Sequence, residues 1–259
     1  MPETLLDAVS AAVADVGRMV HERWTGDFNR WEKVPGHPVC DVDLEADRAL
    51  REKLRAIDPE AGWLSEETAD SADRLSCTRL WLVDPIDGTR DFLRGRDGWC
   101  VSVALAAGGQ PLLAVLDAPA RGEHWRAEAG MGASRNGIPI HVSDRDSLPG
   151  ARVPADTLPQ ADADLIPIAR PNSIALRIGM VAAGEADLLA SLRWGNEWDI
   201  AAAALIATEA GATVSDARGN PLRYNSTRGE QFGVLATAPG IHAAAVDRLR
   251  ARADAAFVR

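Results

Sequence analysis

Residues 81–89 read Trp-Leu-Val-Asp-Pro-Ile-Asp-Gly-Thr, an apolar strand running into two carboxylates three positions apart. Pro85 restricts Asp84 and removes a backbone donor, so the chain is expected to turn sharply as the strand ends. Such a turn lets Asp84 and Asp87 converge. Gly88 and Thr89 are expected to open a short helix through Arg90-Asp91-Phe92, and the N–H groups at a helix start suit an oxyanion such as phosphate. Two further acidic positions could join them. Ser65-Glu66-Glu67-Thr68 follows the short apolar stretch Gly62-Trp63-Leu64, and Asp199 follows Trp198 at the head of an alanine-rich segment. Singly, these acids read as a turn with a helix cap, a solvated rim and an N-cap aspartate. Together they supply the hard, oxygen-rich site that Mg2+ prefers, completed by retained water and a substrate phosphate.

Composition narrows what such a site could serve. The 259 residues include 28 basic and 38 acidic side chains, a formal net charge of −10. With 46% apolar and 25% charged residues the chain is globular, either one large domain or two fused lobes. No apolar run approaches the ~20 residues of a membrane span, so no membrane partner is expected. The opening MPETLLDAVS lacks the basic stretch of a secretory signal. A surface of this sign disfavours a nucleic-acid polymer, whereas a small anionic substrate is compatible if a metal ion supplies positive charge. Cys40, Cys77 and Cys100 form no CxxC, and the five histidines show no HxH or HExxH spacing. A disulfide framework and a zinc knuckle are thereby excluded, and the chain is expected to be cytoplasmic. The basic residues are 26 Arg and 2 Lys (Lys33, Lys53), a bias attributed to genome composition.

The elements that must position the acids follow from periodicity. Leu5, Val9, Val13, Val16 and Val20 mark an amphipathic helix ended by Gly26 and Asp27. A polar stretch containing Pro35-Gly36 leads to a second helix with Leu44, Leu50, Leu54 and Ile57 on one side, stopped near Asp58-Pro59. Segments 79–83 and 101–105 read as buried strands, Gly108-Gly109 as a hairpin turn into 112–116, and Asn136-Gly137 as a second hairpin, with His141 in a strand. Residues 144–172 show little periodicity and read as a connection between lobes. A helix with Ile174, Ile178 and Val181 ends at Gly184, and residues 186–189 read as a strand. A third strong helix spans Asp199 to Ala210, closed by Gly211. Strands at 212–215 and 233–237 precede a final helix carrying Ile241, Val246 and Leu249. Helices mixed with antiparallel strands predict an α+β layered sandwich rather than a regular βαβ winding.

The succession Glu66-Glu67, Asp84-Pro85-Ile86-Asp87-Gly88-Thr89 and Trp198-Asp199-Ile200-Ala201-Ala202 resembles the inositol monophosphatase family. These are Mg2+-dependent, lithium-sensitive phosphomonoesterases that include inositol monophosphatases and 3'(2'),5'-bisphosphate nucleotidases. The likeness runs from about residue 5 to residue 250. It implies an αβαβα sandwich of the inositol monophosphatase/fructose-1,6-bisphosphatase type. In it, an N-terminal lobe (1–145) carries most metal ligands and a C-terminal lobe (146–259) contributes Asp199 and substrate contacts. By the same resemblance Glu66, Asp84 and the carbonyl of Ile86 hold one Mg2+. Asp84, Asp87 and Asp199 hold a second, with a third, weaker ion near Glu66. Asp43, in Val39-Cys40-Asp41-Val42-Asp43, acts with Thr89 to orient and deprotonate the attacking water, so Asp43, Glu66 and Thr89 are the expected catalytic residues. Cys40 stands where the family usually has threonine. Gly88 and Thr89 hold the phosphate oxygens, no covalent intermediate is required, and a homodimer is common among relatives.

Finer likenesses point to the leaving group. Arg90-Asp91-Phe92 and Glu197-Trp198-Asp199 resemble the nucleotidases, and Leu192 stands where inositol phosphatases generally carry a substrate-binding glutamate. Ser173 and Arg177 match the segment where nucleotidases place a serine and a basic residue near a second phosphate. The expected reaction is therefore adenosine 3',5'-bisphosphate to AMP and phosphate, with inositol 1-phosphate or a related sugar phosphate as the alternative. Three rivals fare worse. In a haloacid-dehalogenase motif the acids would be one residue closer than Asp84 and Asp87 are. In an EF-hand-like loop on Asp41, Asp43, Glu45 and Glu52, Ala46 replaces the required glycine. A catalytically silent binding relative is at odds with the complete ligand set. Trp194 and Trp198 are expected to pack around the active helix, with Trp194 lining the substrate pocket as the alternative, and Tyr224 either to close the core or to touch a base.

Overall fold

The computed structural model describes residues 4–34 and 37–258; the turn expected at Pro35-Gly36 lies outside the described residues. Helix α1 (Leu5–Trp24) starts with a reciprocal cap, Asp7 N–H to Thr4 Oγ1 at 3.1 Å and Thr4 N–H to Asp7 Oδ2 at 3.3 Å. A hairpin, β1 (Arg30–Val34) and β2 (His37–Cys40), feeds α2 (Asp41–Ile57), whose unbroken helix excludes a calcium loop at 41–52. Next come β3 (Gly62–Ser65), β4 (Arg79–Asp87), the one-turn α3 (Thr89–Phe92), β5 (Cys100–Ala107), β6 (Gln110–Ala118), β7 (Glu123–Glu128), β8 (Ala133–Arg135) and β9 (Ile138–Pro139). These strands form one mixed sheet in sequence order, with β3 and β4 parallel and the rest antiparallel. Asn136 and Gly137 take positive φ at the β8–β9 turn, as the Asn-Gly pair predicts. The second half comprises β10 (Arg152–Pro154), β11 (Ile166–Ile168), α4 (Ile174–Ala182), β12 (Leu188–Asn196), α5 (Glu197–Glu209), β13 (Thr213–Ser215), β14 (Glu230–Thr237) and α6 (His242–Phe257). Its sheet has the order β12-β14-β13.

Strand alternation separates the layers. Trp81 and Val83 of β4, with Val101, Val103 and Leu105 of β5, face α1 and α2. Leu80, Leu82, Ala104 and Ala106 face α4 and α5 on the other side. Helix α5 is apolar all round because it is sandwiched: Ala201 to Ala204 and Ala207 nest against small residues of the first sheet, and Val234 and Ala236 of the second sheet join the same core. Helix α6 closes the far face through Ala245 and Leu249. The result is the expected five layers, αβαβα. Both halves share a core, since α4 and α5 pack on the sheet built by residues 62–139.

Three local expectations need correction. Segment 144–172 is not featureless, because β10 and β11 pair in parallel and Leu148, Ala151, Val153 and Leu165 are buried with α6. His141 lies outside any strand, on an exposed stretch that makes no ladder. The strand expected at 186–189 begins at Leu188 and runs to Asn196. Its polar second half escapes periodicity because a bulge between Ser191 and Trp194 breaks the alternation.

Helix α1 is pinned to the sheet by a polar chain. His124 Nδ1 donates to Asp117 Oδ1 at 2.7 Å, leaving Nε2 to accept from Ser10 Oγ at 2.7 Å. Gly17 lets the helix come this close, since a Cβ there would overlap the Asp117 carboxylate. Gly17→Ala is therefore expected to cost about 1–3 kcal/mol by overpacking. The matching drop in thermal midpoint, roughly 3–10 °C by calorimetry, would be absent if the helix could shift freely.

Candidate active site

Residues three apart on a strand point to opposite faces. Here Asp84 pairs with Ser102 and Asp87 with Cys100, so β4 carries one extra residue and bulges between them. The strand does not end at Pro85, as expected from the sequence, but continues to Asp87. Pro85 sits in the bulge, where no ladder donor is needed. The extra residue turns Asp84 and Asp87 onto one face and sends Ile86 into the opposite core with Trp81 and Val83. Both aspartates line a cleft of about 540 Å3, together with Glu66 from the end of β3 and Asp199 from the first turn of α5. Gly88 and Thr89 line it too. Gly88 has φ +96°, and a Cβ there would meet the carbonyl of Gly98 at 2.5 Å, so only glycine fits.

Each acid is fixed by the fold. Asp84 Oδ1 accepts the N–H of Ile86 at 3.0 Å. Asp87 Oδ2 accepts from Ser173 Oγ at 2.5 Å and from the Ala175 N–H at 2.7 Å, at the start of α4. Asp199 is not the N-cap of α5. Asn196 caps that helix, and Asp199, three residues on, reaches back to its N–H at 3.1 Å. Glu66 lies 3.8 Å from Lys33, which grips the buried Glu67 at 2.5 Å. Lys33 is a site residue that sequence reasoning passed over. Its signal was rarity, one of two lysines in a chain of arginines.

Burial raises every one of these acids, and repulsion from neighbouring carboxylates adds to it at Glu66, Asp84 and Asp199. Desolvation pushes Glu66 up to about 8 and Asp199 to about 7, with neighbouring carboxylates adding to both. Asp84 is raised well above the carboxylate range by burial and then by Glu66, Asp87 and Asp199. Asp87 is also raised by burial, against the pull of Ser173, the α4 backbone and Arg177. The same cleft also carries arginines. Arg170, Arg177 and Arg193 line it, and burial with the nearness of the other two lowers the pKa of Arg177. Arg170 is paired with Asp156 at 2.5 Å. Arg177 instead donates to the carbonyls of Ser173 at 3.2 Å and Asn172 at 2.9 Å.

Several expected residues are placed differently. Ser173 does not face the cleft: it is fully buried, and its hydroxyl is shared between Asp87 and the Leu176 N–H. Asp43 does not line the cleft either. Its Oδ2 accepts from Cys40 N at 2.8 Å and Cys40 Sγ at 2.9 Å, and burial raises it to about 6. The cysteine thus supplies a donor where a hydroxyl is usual. Thr89 Oγ1 donates to the Ile86 carbonyl at 2.9 Å, not to Asp43. Glu197 is buried on the N–H groups of Asn225 and Ser226 at 2.6 and 2.9 Å, so it ties a loop. Tyr224 closes the core. Trp194 packs on Phe232 and Phe257 while also lining the cleft.

Residues 1–253 match the inositol monophosphatase family. The chain belongs to that family. A fructose-1,6-bisphosphatase/inositol-1-monophosphatase of Thermotoga maritima is 33% identical over 225 residues, 83% of this chain and 85% of that protein. The 3'(2'),5'-bisphosphate nucleotidase CysQ of Escherichia coli is 31% identical over 239 residues, covering 85% and 94%. Among solved structures, an inositol monophosphatase (IMPase) of Thermotoga maritima superposes with a TM-score of 0.82 at 28% identity over 97% of this chain and 98% of that one. Members of the inositol monophosphatase family are phosphatases and are generally metal-dependent. With two activities at nearly equal identity, relatedness alone does not choose the substrate.

The donor set fits a hard divalent cation, being all oxygen, with carboxylates that repel one another until a positive charge joins them. Among the described residues no three His, Cys, Asp or Glu side chains stand close enough together to grip one ion unchanged. Carboxylates raised in the fold stay protonated there above the pH at which the unfolded chain ionises, near 4, so the chelated protein should lose stability as pH rises from about 4.5 to 8. The expected drop in thermal midpoint in EDTA is about 5 °C or more across that window, largely reversed by millimolar Mg2+. A flat pH profile, or no metal effect at pH 8, would count against a cation site here.

Proposed function

We propose that this protein is a Mg2+-dependent phosphomonoesterase acting on a small bisphosphorylated substrate, most closely a 3'(2'),5'-bisphosphate nucleotidase. The observation that carries this reading is one cleft lined both by the acids and by Arg90, Arg170, Arg177 and Arg193. An ester with two phosphates meets both kinds of group. Glu66, Asp84, Asp87, Asp199 and the Ile86 carbonyl would hold the metal. When bound, it supplies the charge that neutralises a phosphate dianion and acidifies an attacking water.

The chain's own residues do the rest. Gly88 and Thr89 bring backbone to the phosphate where no side chain could fit, and Thr89 stays oriented through its bond to Ile86. Ser173 and the N-terminus of α4 fix Asp87. Asp43, held by Cys40 behind Glu66 and Asp84, contributes negative charge to the metal-binding end and acts as a positioning residue. Arg177 takes the second phosphate and sets the distance between the two groups. The inositol monophosphate reading lacks a polar partner for sugar hydroxyls at Leu192, which lies on an aliphatic wall.

Phosphate release from adenosine 3',5'-bisphosphate and from inositol 1-phosphate, with Mg2+, with EDTA and with added Li+, tests the reading. A strong preference for the nucleotide that vanishes in EDTA is expected, and preference for the inositol ester would overturn the substrate assignment. Asp84→Asn should lower turnover about a thousandfold, the loss of several kcal/mol of transition-state stabilisation. Near-normal activity would remove the metal mechanism. Arg177→Ala should raise KM for the bisphosphate about tenfold or more while barely moving KM for a monophosphate, as removal of a charge-assisted contact predicts. An equal shift for both substrates would deny Arg177 that role.

A further inference from the structure

Three of the four acids that line the cleft are fixed by hydrogen bonds on their own oxygens: Asp84 by the Ile86 N–H, Asp87 by Ser173 and the Ala175 N–H, and Asp199 by the Asn196 N–H. Glu66 is not. Among the described residues its carboxylate has only a loose ion pair, to Lys33 at 3.8 Å. It also lies one residue past the end of β3, whose pairing with β4 stops at Ser65. The Glu66 N–H still reaches the Val83 carbonyl at 3.3 Å, and there the backbone leaves the sheet. Where this side chain points therefore depends on what holds the bend at 65–68.

The bend is gripped by Asp47, a buried residue one helical turn after Asp43 on α2. Ser65 Oγ donates to Asp47 Oδ1, and Thr68 Oγ1 donates to Asp47 Oδ2 at 2.6 Å. One carboxylate thus bridges the two residues that flank Glu66-Glu67. Lys33 Nζ adds a contact to the Glu66 carbonyl at 3.4 Å. Asp47 itself does not line the cleft. Burying a carboxylate costs desolvation that an apolar side chain would avoid, so packing alone does not account for an acid here. We infer that Asp47 is a positioning residue: through Ser65 and Thr68 it sets the bend so that Glu66 projects into the cleft, ready to ligate a divalent cation. This rests on the metal-site reading of the cleft and adds to it a residue behind the ligands. Partners of this kind orient a ligand without touching the metal, and their loss weakens metal binding by about 10- to 100-fold.

Mn2+ binding, followed by the electron paramagnetic resonance of the free ion with no substrate present, tests this on the whole protein. Asp47→Asn should raise the Mn2+ Kd about tenfold or more. Ser65→Ala and Thr68→Val keep every charge and remove one hydroxyl each, and each should raise it about threefold or more. Gly17→Ala controls for destabilisation alone, since it strains α1 against Asp117 and not this bend. Its Kd should stay within about twofold of wild type, as for an independent site. A Kd for Asp47→Asn equal to that of wild type overturns the inference, as does a Gly17→Ala shift as large as that of Asp47→Asn. If Asp47→Asn weakens binding but neither hydroxyl variant does, the effect is that of the lost charge and the positioning role falls. Should Asp47→Asn fail to fold, Thr68→Val, at a half-buried position, decides alone: an unchanged Kd denies Asp47 the role. A wild-type protein that binds no Mn2+ removes the metal site and the role of Asp47 together. Normal wild-type binding with unchanged variants removes the role of Asp47 only.

Discussion

Pleated strands send alternate side chains to opposite faces, and two carboxylates three residues apart cannot share a site on a regular strand. The single extra residue in β4 removes that obstacle, and most of the site's architecture follows from it. With Ile86 turned into the core, Asp84 and Asp87 face outward together, and the chain must leave the strand through Gly88 at positive φ. Gly88 has no room for a side chain because the carbonyl of Gly98 and the N–H of Ser173 press against it. Asp91 completes the closure by accepting the Asn172 N–H at 2.9 Å, which brings the start of α4 beside the acids. A proline in the bulge costs no ladder bond. Everything nearby is fitted to one irregularity.

Collecting carboxylates in this way works against stability, and the layered fold supplies the means to hold them. The four acids come from three elements: the end of β3, the bulge of β4, which carries two, and the first turn of α5. Those elements are locked by cores on both faces of the first sheet, aliphatic and aromatic toward α1 and α2, alanine-rich toward α5. The small side chains allow α5 to lie close to the sheet, so its first turn reaches the end of β4. Repulsion among the acids is thus borne by packing, with Lys33 as a nearby counter-charge for Glu66 and Glu67.

The sequence made the layers legible because α1, α2, β4, β5 and β6 carry clean periodicity, and the acids legible because a short, ordered motif spans them. The irregular parts were not. Pro85 reads as a strand end, and only the pairing of Asp84 and Asp87 with Ser102 and Cys100 shows that it sits inside one. Ser173 reads as a substrate contact, yet a serine that caps a helix and one that touches a ligand look alike in a string of letters. Arg170 and Arg193 gave no signal because surface arginines abound in this chain, and their convergence depends on the β12 bulge and on segment 144–172. Lys33 was visible only as a rarity. Features that depend on pairing register or on distant neighbours leave little local trace.

Ser173 joins an acid and an arginine of the cleft through one residue. Its hydroxyl holds Asp87 and its carbonyl receives Arg177 Nε, while its backbone begins α4. Asp87 and Arg177 are therefore not independent fixtures but two arms of one short lever. The spacing between them is set by covalent geometry rather than by flexible side chains alone. The two charges sit like the jaws of a caliper whose opening is fixed by a single serine.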